Sequence, residues 1–327
     1  MPRVLLSGKL HRDGMAVLRA RQDLTLVEME GDGPDEFVAK LPEADALLIR
    51  TAPLPREALV NAGRLKIVSR HGVGYDNVPV DALTGMGVPL AVVGGIHSTT
   101  VAEHAMYLML AAAKAGLRYD RAVRSGDWTG SRARLEAFEL SGRTLLLLGF
   151  GRIGRALALR AAAFGMTVTA YDPNVPEAAM AAEHVTKVED WRAVLPAVDV
   201  VSLHLPRLPE TENIIAAAEL AAMKPSAILI NTSRGGLIDE AALAAALAAG
   251  EIAGAGIDTF DEEPPRSDNP LMTSDRVVLS PHVAGLTQEA MARLSVAAAE
   301  NVLAGLDGRL DPALVINPEV LVAPGPG

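Results

Sequence analysis

The sequence predicts an α/β protein with two parallel-sheet halves, and three observations lead there. The chain has 327 residues, which at roughly 150 per domain makes about two domains and a sizeable core. Half of the residues are apolar but only 3% are aromatic, so Ala, Val and Leu must build that core. This suits a close-packed α/β protein better than an aromatic-rich β-sandwich or a carbohydrate binder. Finally, short apolar runs alternate with helical segments for most of the length, the order that builds βαβ units with a parallel sheet. A mean hydropathy of +0.23 excludes disorder as the main state.

In the first half the strand candidates are Val4–Ser7, Leu24–Glu28, Ala46–Ile49, Ile67–Ser69 and Pro89–Val93. Between them lie helical segments over Asp13–Arg21, Pro34–Leu41, Arg56–Ala62 and Pro79–Met86, several opened by Pro or Asp. A long helix is expected over Thr99–Ser125, where Val101, Ala105, Leu108 and Ala112 keep one apolar stripe. Segment Gly126–Gly142, rich in Gly, Ser and Arg, reads as a linker or arm. The second half starts with Thr144–Leu148, an apolar strand without alternation, as expected when both sheet faces are covered. Helix Arg152–Phe164 and strands Met166–Tyr171, Val198–His204, Ala227–Asn231, Ile252–Asp258 and Val277–Ser280 follow, with helix Glu240–Ala249 among them. A last helix runs from Thr287 to about Leu306 before a tail, Asp307–Gly327, rich in Pro and Gly.

Charge and composition narrow the chemistry. The formal net charge is -10, which repels phosphate backbones and anionic lipids, so neither nucleic acid nor membrane is an expected partner. Cysteine is absent, which excludes disulfides, thiolate nucleophiles and Cys-based metal sites. No metal is expected. The N-terminal residues read as a first strand and not as a signal peptide. The longest apolar helical stretch, near Ala105–Ala113, is too short for a bilayer that needs ~20 residues. A cytoplasmic protein is expected.

Strand Thr144–Leu148 runs directly into Gly149-Phe150-Gly151-Arg152-Ile153-Gly154, where a helix opens. Strand before and helix after is the context a dinucleotide-binding glycine loop requires. Gly149 permits the tight turn, Gly151 lets the backbone approach a pyrophosphate, and Gly154 lets the helix pack on the strand. The helix N-terminus offers free N–H groups and partial positive charge to the phosphates. The next strand ends at Tyr171-Asp172-Pro173, about 20 residues on, where an acidic group meets the adenosine ribose. Asp172 would repel a 2′-phosphate, so the expected cofactor is NAD.

Three more groups stand where later strands stop. Ala227–Asn231 is followed by Thr232-Ser233-Arg234, Ile252–Asp258 by the turn containing Glu263, and Val277–Ser280 by Pro281-His282. Ligands of open α/β sheets bind outside the carboxyl ends of the strands. A guanidinium can grip a substrate carboxylate bidentately, so Arg234 fits an anchor. His282 can take a hydroxyl proton as hydride leaves, or return it, because imidazole titrates near neutrality. Glu263 would hold that imidazole. His204, ending a strand before Pro206, is expected to line the cofactor cleft, whereas His11, His97, His104 and His184 read as structural.

On these residues the chain resembles the D-isomer-specific 2-hydroxyacid dehydrogenases, in particular their phosphoglycerate dehydrogenase-like branch. Further matching motifs are His204-Leu205-Pro206 with Thr211, Asn231 to Asp239, Gly256-Ile257-Asp258, Glu263-Pro264, Pro281-His282, Gly72 to Asn77 and Val101 to His104. The resemblance implies two doubly wound parallel-sheet domains of the Rossmann or flavodoxin type, one inserted in the other. Residues 1–98 plus 286–327 would bind substrate, and 99–285 would bind NAD. It implies Arg234, Glu263 and His282 as a catalytic triad. It sets Arg152, Ile153, Tyr171, Asp172, Pro173, His204, Leu205, Pro206, Thr211, Thr232, Ser233, Ala284 and Gly285 beside the cofactor, with Asp258 at its carboxamide. Val73 and Gly74 would give main-chain donors to the substrate carboxylate. Leu208 stands where the family often has Thr. The sequence ends at Gly327, so the regulatory domains of the longest phosphoglycerate dehydrogenases are not expected.

The expected substrate is a small anionic 2-hydroxy or 2-oxo acid, and the resemblance implies a homodimer through the long helix and arm. Arg50 and Arg70 end two first-half strands, and in the resembled branch these positions reach a distal phosphate. If they face the substrate, 3-phosphoglycerate leads. Otherwise a glyoxylate or hydroxypyruvate reductase is the better reading. An NAD-sensing corepressor-like binding protein on the same fold is the alternative outside enzymes.

Overall fold

The computed structural model describes residues 1–321 except Asp32 and Leu135; residues 322–327 of the tail lie outside it. Two compact units emerge, Met1–His97 with Thr287–Gly327, and Ser98–Leu286.

The first unit holds strands β1 (Arg3–Ser7), β2 (Thr25–Glu28), β3 (Ala46–Ile49), β4 (Ile67–Arg70) and β5 (Leu90–Ala91), with helices α1 (Arg12–Ala20), α2 (Pro34–Lys40), α3 (Arg56–Leu59) and α4 (Val80–Gly85). The sheet is parallel in the order β2-β1-β3-β4-β5. Its inner strands β1, β3 and β4 carry apolar side chains on both faces because both are covered. Leu5, Leu47, Ile49 and Val68 pack with Phe37, Leu41, Leu59 and Leu83. Val4, Leu6, Leu48 and Ile67 pack with Leu18 of α1 and with Leu294, Ala298 and Val302 from the end of the chain. The close approach of that last helix depends on glycine. A Cβ on Gly14 would lie 2.5 Å from the Ser295 carbonyl, and one on Gly305 would lie 2.6 Å from Ile67.

The second unit opens with helices α5 (Ser98–Ala113), α6 (Gly116–Arg124) and α7 (Trp128–Ala133). Then come β6 (Thr144–Leu148), α8 (Arg152–Ala163), β7 (Thr167–Tyr171), α9 (Glu177–Ala181), β8 (Thr186–Lys187), α10 (Trp191–Val194) and β9 (Val200–Leu203). The unit closes with α11 (Ala217–Ala222), β10 (Ile228–Asn231), α12 (Glu240–Ala249), β11 (Gly254–Ile257) and β12 (Val277–Leu279). Helix α13 (Gln288–Leu306) then returns to the first unit. The seven strands are parallel in the order β12-β11-β10-β9-β6-β7-β8. The order reverses between β6 and β9, and such a switch point splays the loops at the strand ends into a crevice.

The two-sheet α/β class is thus the one predicted, but several elements differ. The long helix expected over Thr99–Ser125 is two helices. Ala115 between them has φ 49°, and the N–H of Phe138 donates to the Ala113 carbonyl (2.9 Å), ending α5 there. Segment Gly126–Gly142, expected to be irregular, contains α7, and its Leu135 lies outside the described residues. The helix expected over Arg56–Ala62 stops at Leu59, and the strand Pro89–Val93 shrinks to Leu90–Ala91. The described tail residues pair with the first sheet: Val315 bridges antiparallel to Ala91, and Asn317 Oδ1 accepts from the Leu90 N–H (2.8 Å).

Candidate active site

Geometry at the glycine loop follows the strand-to-helix turn. Leu145 to Leu148 are wholly buried, so β6 delivers Gly149 rigidly to the crevice. Gly149 has φ +100°, and a side chain there would collide with the His204 carbonyl at the end of β9. A side chain on Gly154 would strike the Gly149 carbonyl. At Gly151, the N-cap of α8, nothing lies within 4 Å of a Cβ position. That open space beside free helix N–H groups fits a pyrophosphate. Asp172 stands at the end of the neighbouring strand, its Oδ2 accepting from the Phe150 N–H and its Oδ1 from the Asn174 N–H, both 2.9 Å. The carboxylate is therefore fixed against the loop, where a ribose of the bound dinucleotide would lie. These residues fit NAD.

The turn after β9 is closed from within. Thr211 Oγ1 donates to the Pro206 carbonyl (2.7 Å) and accepts from the Leu208 N–H (2.8 Å). Ser233 Oγ donates to the Leu203 carbonyl (2.6 Å), tying the β10 turn to this one. His204 Nε2 lies 3.0 Å from Ser202 Oγ, and burial pushes its imidazole down to about 4. Among the described residues, His204 Nδ1 and Thr232 Oγ1 are buried with no hydrogen-bond partner. Such orphans are uncommon in a finished core and mark places where a ligand's polar groups can be received.

Arg234, Glu263 and His282 follow β10, β11 and β12, three neighbouring strands. The first two loops touch so closely that a side chain on Gly235 would run into the Phe260 carbonyl. Asn231 staples the arginine turn, donating to the Arg234 carbonyl (2.8 Å) and accepting from the Ser233 N–H (3.0 Å). Arg234 Nη1 donates to the Ser233 carbonyl (2.7 Å). Glu263 Oε1 accepts from the Phe260 N–H (3.1 Å), and its Oε2 lies 2.7 Å from His282 Nδ1. Burial works to raise the Glu263 carboxyl. The hydrogen bonds from His282 and Phe260, with the charge of Arg234, outweigh it and hold the group below its ordinary value. Nδ1 of His282 is thus committed to Glu263, which leaves Nε2 as the ring nitrogen that could meet a ligand.

Residues outside the sequence reading hold these loops. Glu240 Oε1 accepts from the Asp261 N–H (2.9 Å) and its Oε2 from Asn269 Nδ2 (2.5 Å), so α12 clamps the turn carrying Glu263. Asp258, fully buried, accepts from the Val283 N–H (3.0 Å), the Ala284 N–H (2.9 Å) and Ser280 Oγ (2.6 Å). The sequence reading set Asp258 and Ala284 beside the cofactor; here they also bind each other. His282 sits within this turn at φ 51°, and its N–H donates to the Asp258 carbonyl (2.7 Å).

In the first unit, Arg70 folds over the Gly72–Gly74 loop, Nη1 donating to the His71 carbonyl (2.9 Å) and Nε to Asn77 Oδ1 (3.3 Å). Asn77 Nδ2 donates to the Ala52 carbonyl (2.6 Å), bracing the segment that follows Arg50. Arg50 lies along Gly8 and gives Nη1 to the Lys9 carbonyl (2.9 Å). Val73 and Gly74 are both half-buried. Among the described residues no group of three or more His, Asp or Glu is placed to hold a metal ion, and no helix is long and apolar enough to cross a membrane.

Known proteins resemble this chain in sequence and in fold. The NAD-binding domain model of the D-isomer specific 2-hydroxyacid dehydrogenases matches residues 106–284. A D-3-phosphoglycerate dehydrogenase of Methanocaldococcus jannaschii is 37% identical over 321 residues, covering 98% of this chain; the chain spans 60% of that relative's length. A glyoxylate reductase of Thermococcus litoralis is 37% identical with 99% of each chain covered. The D-lactate dehydrogenase of Aquifex aeolicus, solved with NAD and lactic acid, superposes with a TM-score of 0.86 at 27% identity, over 96% of this chain and 99% of that one. The chain belongs to the D-isomer specific 2-hydroxyacid dehydrogenase family.

Proposed function

We propose that the protein is an NAD-dependent dehydrogenase of small anionic 2-hydroxy acids, with Arg234, Glu263 and His282 as its working groups. The observation that carries this reading is the Glu263–His282 hydrogen bond of 2.7 Å, formed between adjacent strand-end loops with Arg234 on the next. When bound, NAD(H) gives or accepts the hydride. Arg234 holds the substrate carboxylate and polarises the neighbouring carbonyl. His282 Nε2 delivers a proton to that carbonyl oxygen in reduction, or takes the hydroxyl proton in oxidation. Glu263 keeps Nδ1 protonated and the ring oriented. Gly149, Gly151, Arg152, Ile153 and Gly154 with the start of α8 hold the pyrophosphate, and Asp172 holds the ribose and disfavours NADP. Tyr171, Pro173, His204, Leu205, Pro206, Thr211, Thr232, Ser233, Ala284 and Gly285 complete that wall, and Asp258 serves its carboxamide end.

The unit of Met1–His97 with the C-terminal helix binds substrate in this reading, through the main chain of Val73 and Gly74. Arg50 and Arg70 lie on either side of Asn77 and take a second anionic group, which favours 3-phosphoglycerate over glyoxylate. The protein works in the cytoplasm as a homodimer. Tyr107, Leu117, Val123 and Trp128, each at least 40% exposed on α5 to α7, supply an apolar face for the second copy. The test is NADH oxidation with glyoxylate, hydroxypyruvate, pyruvate and 3-phosphohydroxypyruvate. Turnover of none of them refutes the reading. Arg50→Ala and Arg70→Ala should raise KM for the phosphorylated acid on the order of tenfold and leave glyoxylate nearly unchanged.

A further inference from the structure

Helix α5 lies along β11 in a matched register. A Cβ on Gly254 would lie 3.9 Å from Ala112, and one on Gly256 would lie 2.7 Å from Leu108. Asp258 stands 3.6 Å from His104. Steps of four residues on the helix meet steps of two on the strand, because ~6 Å of helical rise equals ~6.6 Å of strand. Two glycines with no side chain to hold the helix off therefore bring His104 to the end of β11. Its Nε2 lies 2.8 Å from Ser280 Oγ, and Ser280 Oγ lies 2.6 Å from Asp258 Oδ1.

We propose that His104 is a positioning residue for the reaction: through Ser280 it completes the hydrogen-bond set on Asp258 that holds the turn presenting His282. Proton counting fixes the direction. Asp258 accepts at both oxygens, so the one hydroxyl proton of Ser280 goes to the carboxylate, and Ser280 Oγ must accept from His104. His104 is then the Nε2–H tautomer. Burial pushes its imidazole down, against the pull of Asp258, which suits a neutral ring. With that donor in place, Ser280 is held as a donor to Asp258, whose other partners are the N–H groups of Val283 and Ala284. His282, in the left-handed region, lies in the chain between Ser280 and Val283, so the bonds of both to Asp258 flank it. A residue in that region keeps its conformation only where its surroundings over-determine it. A missing donor at Ser280 therefore loosens the ring that moves the proton, and the Glu263 bond with it.

This inference rests on the catalytic reading of His282, and its test separates the two. In the purified full-length protein, His104→Leu should lower kcat for 2-oxo acid reduction about tenfold while KM for NADH stays within about twofold. His104→Gln, which keeps an N–H donor at similar reach, should recover most of the loss, and Ser280→Ala in the His104→Leu background should add little. Nitrogen chemical shifts of the cofactor-free protein should report His104 as Nε2–H, with that proton's resonance moved by Ser280→Ala. Equal kcat in His104→Leu and wild type, or a Gln variant no better than Leu, overturns the proposal, as does an Nδ1–H tautomer. If the wild type reduces no 2-oxo acid, the proposed function fails, and the tautomer and its response to Ser280→Ala decide whether the His104–Ser280–Asp258 link exists.

Discussion

Replacing Glu263 by Gln should move the pH profile of reduction without abolishing it. The carboxylate accepts two hydrogen bonds, from His282 Nδ1 and from the Phe260 N–H, and carries the charge that supports a protonated imidazole. The amide presents one oxygen to those two donors, so one of them loses its partner. Unit charges about 4 Å apart attract by ~1 kcal/mol in water and ~4 kcal/mol at an effective dielectric of 20. The two side chains are 38% and 49% exposed, so solvent screening sets the value near the lower figure. About 1.4 kcal/mol corresponds to one pH unit. Reduction needs the imidazolium, so the pH at which its rate falls should drop by about one unit, with ~10-fold loss of kcat above that point. Oxidation starts from neutral imidazole and should lose less. The assay is NADH absorbance in both directions across the pH range. Superimposable profiles for wild type and Glu263→Gln would refute the role given to the pair.

Three other outcomes are open to measurement. Asp172→Ala should narrow the preference for NADH over NADPH on the order of tenfold, read by calorimetric titration; an unchanged ratio removes Asp172 from cofactor choice. Burial, with Arg50 nearby, pushes the His71 imidazole down to about 4 from 6.5. The unfolded chain therefore binds a proton that the folded chain refuses in this window, and stability should fall as pH drops through it, by about 2 kcal/mol between pH 7 and 5. His71→Gln should flatten that slope in denaturant titrations. Gly256→Ala puts a methyl 2.7 Å from Leu108 Cβ and 3.0 Å from Ile230 Cδ1, so it should cost about 1–3 kcal/mol and reduce kcat by displacing α5. A variant that melts and turns over like wild type would show that the helix–strand contact has slack.

Much of the fold is legible because its strands are short apolar runs buried on both faces, and its turns carry Gly, Pro and Asp. Sequence and structure part where local pattern and tertiary contact disagree. The apolar stripe gave no sign of the break at Ala115, whose cause includes a hydrogen bond from Phe138, distant in sequence. Strand β8 and helices α9 to α11 are too short to show a period. For the site, position at strand ends and glycine spacing are written in the chain. The supports are not. Asn77, Glu240 and His104 act through side-chain hydrogen bonds to other segments, and no local periodicity announces such partners.

The return of α13 to the first unit sets the order in which this protein can be finished during synthesis. The face formed by Val4, Leu6, Leu48 and Ile67 needs Leu294, Ala298 and Val302, which leave the ribosome only after the whole of the second unit. Ser98–Leu286 has every strand of its sheet by Leu279 and can close first. Until α13 arrives, the earlier-made β1, β3 and β4 must wait with an apolar face uncovered, and such faces invite aggregation. Slow translation before α13, or truncation within it, should therefore harm yield far more than a nick in the second unit's surface loops. The first sheet is made before the second unit and completed after it.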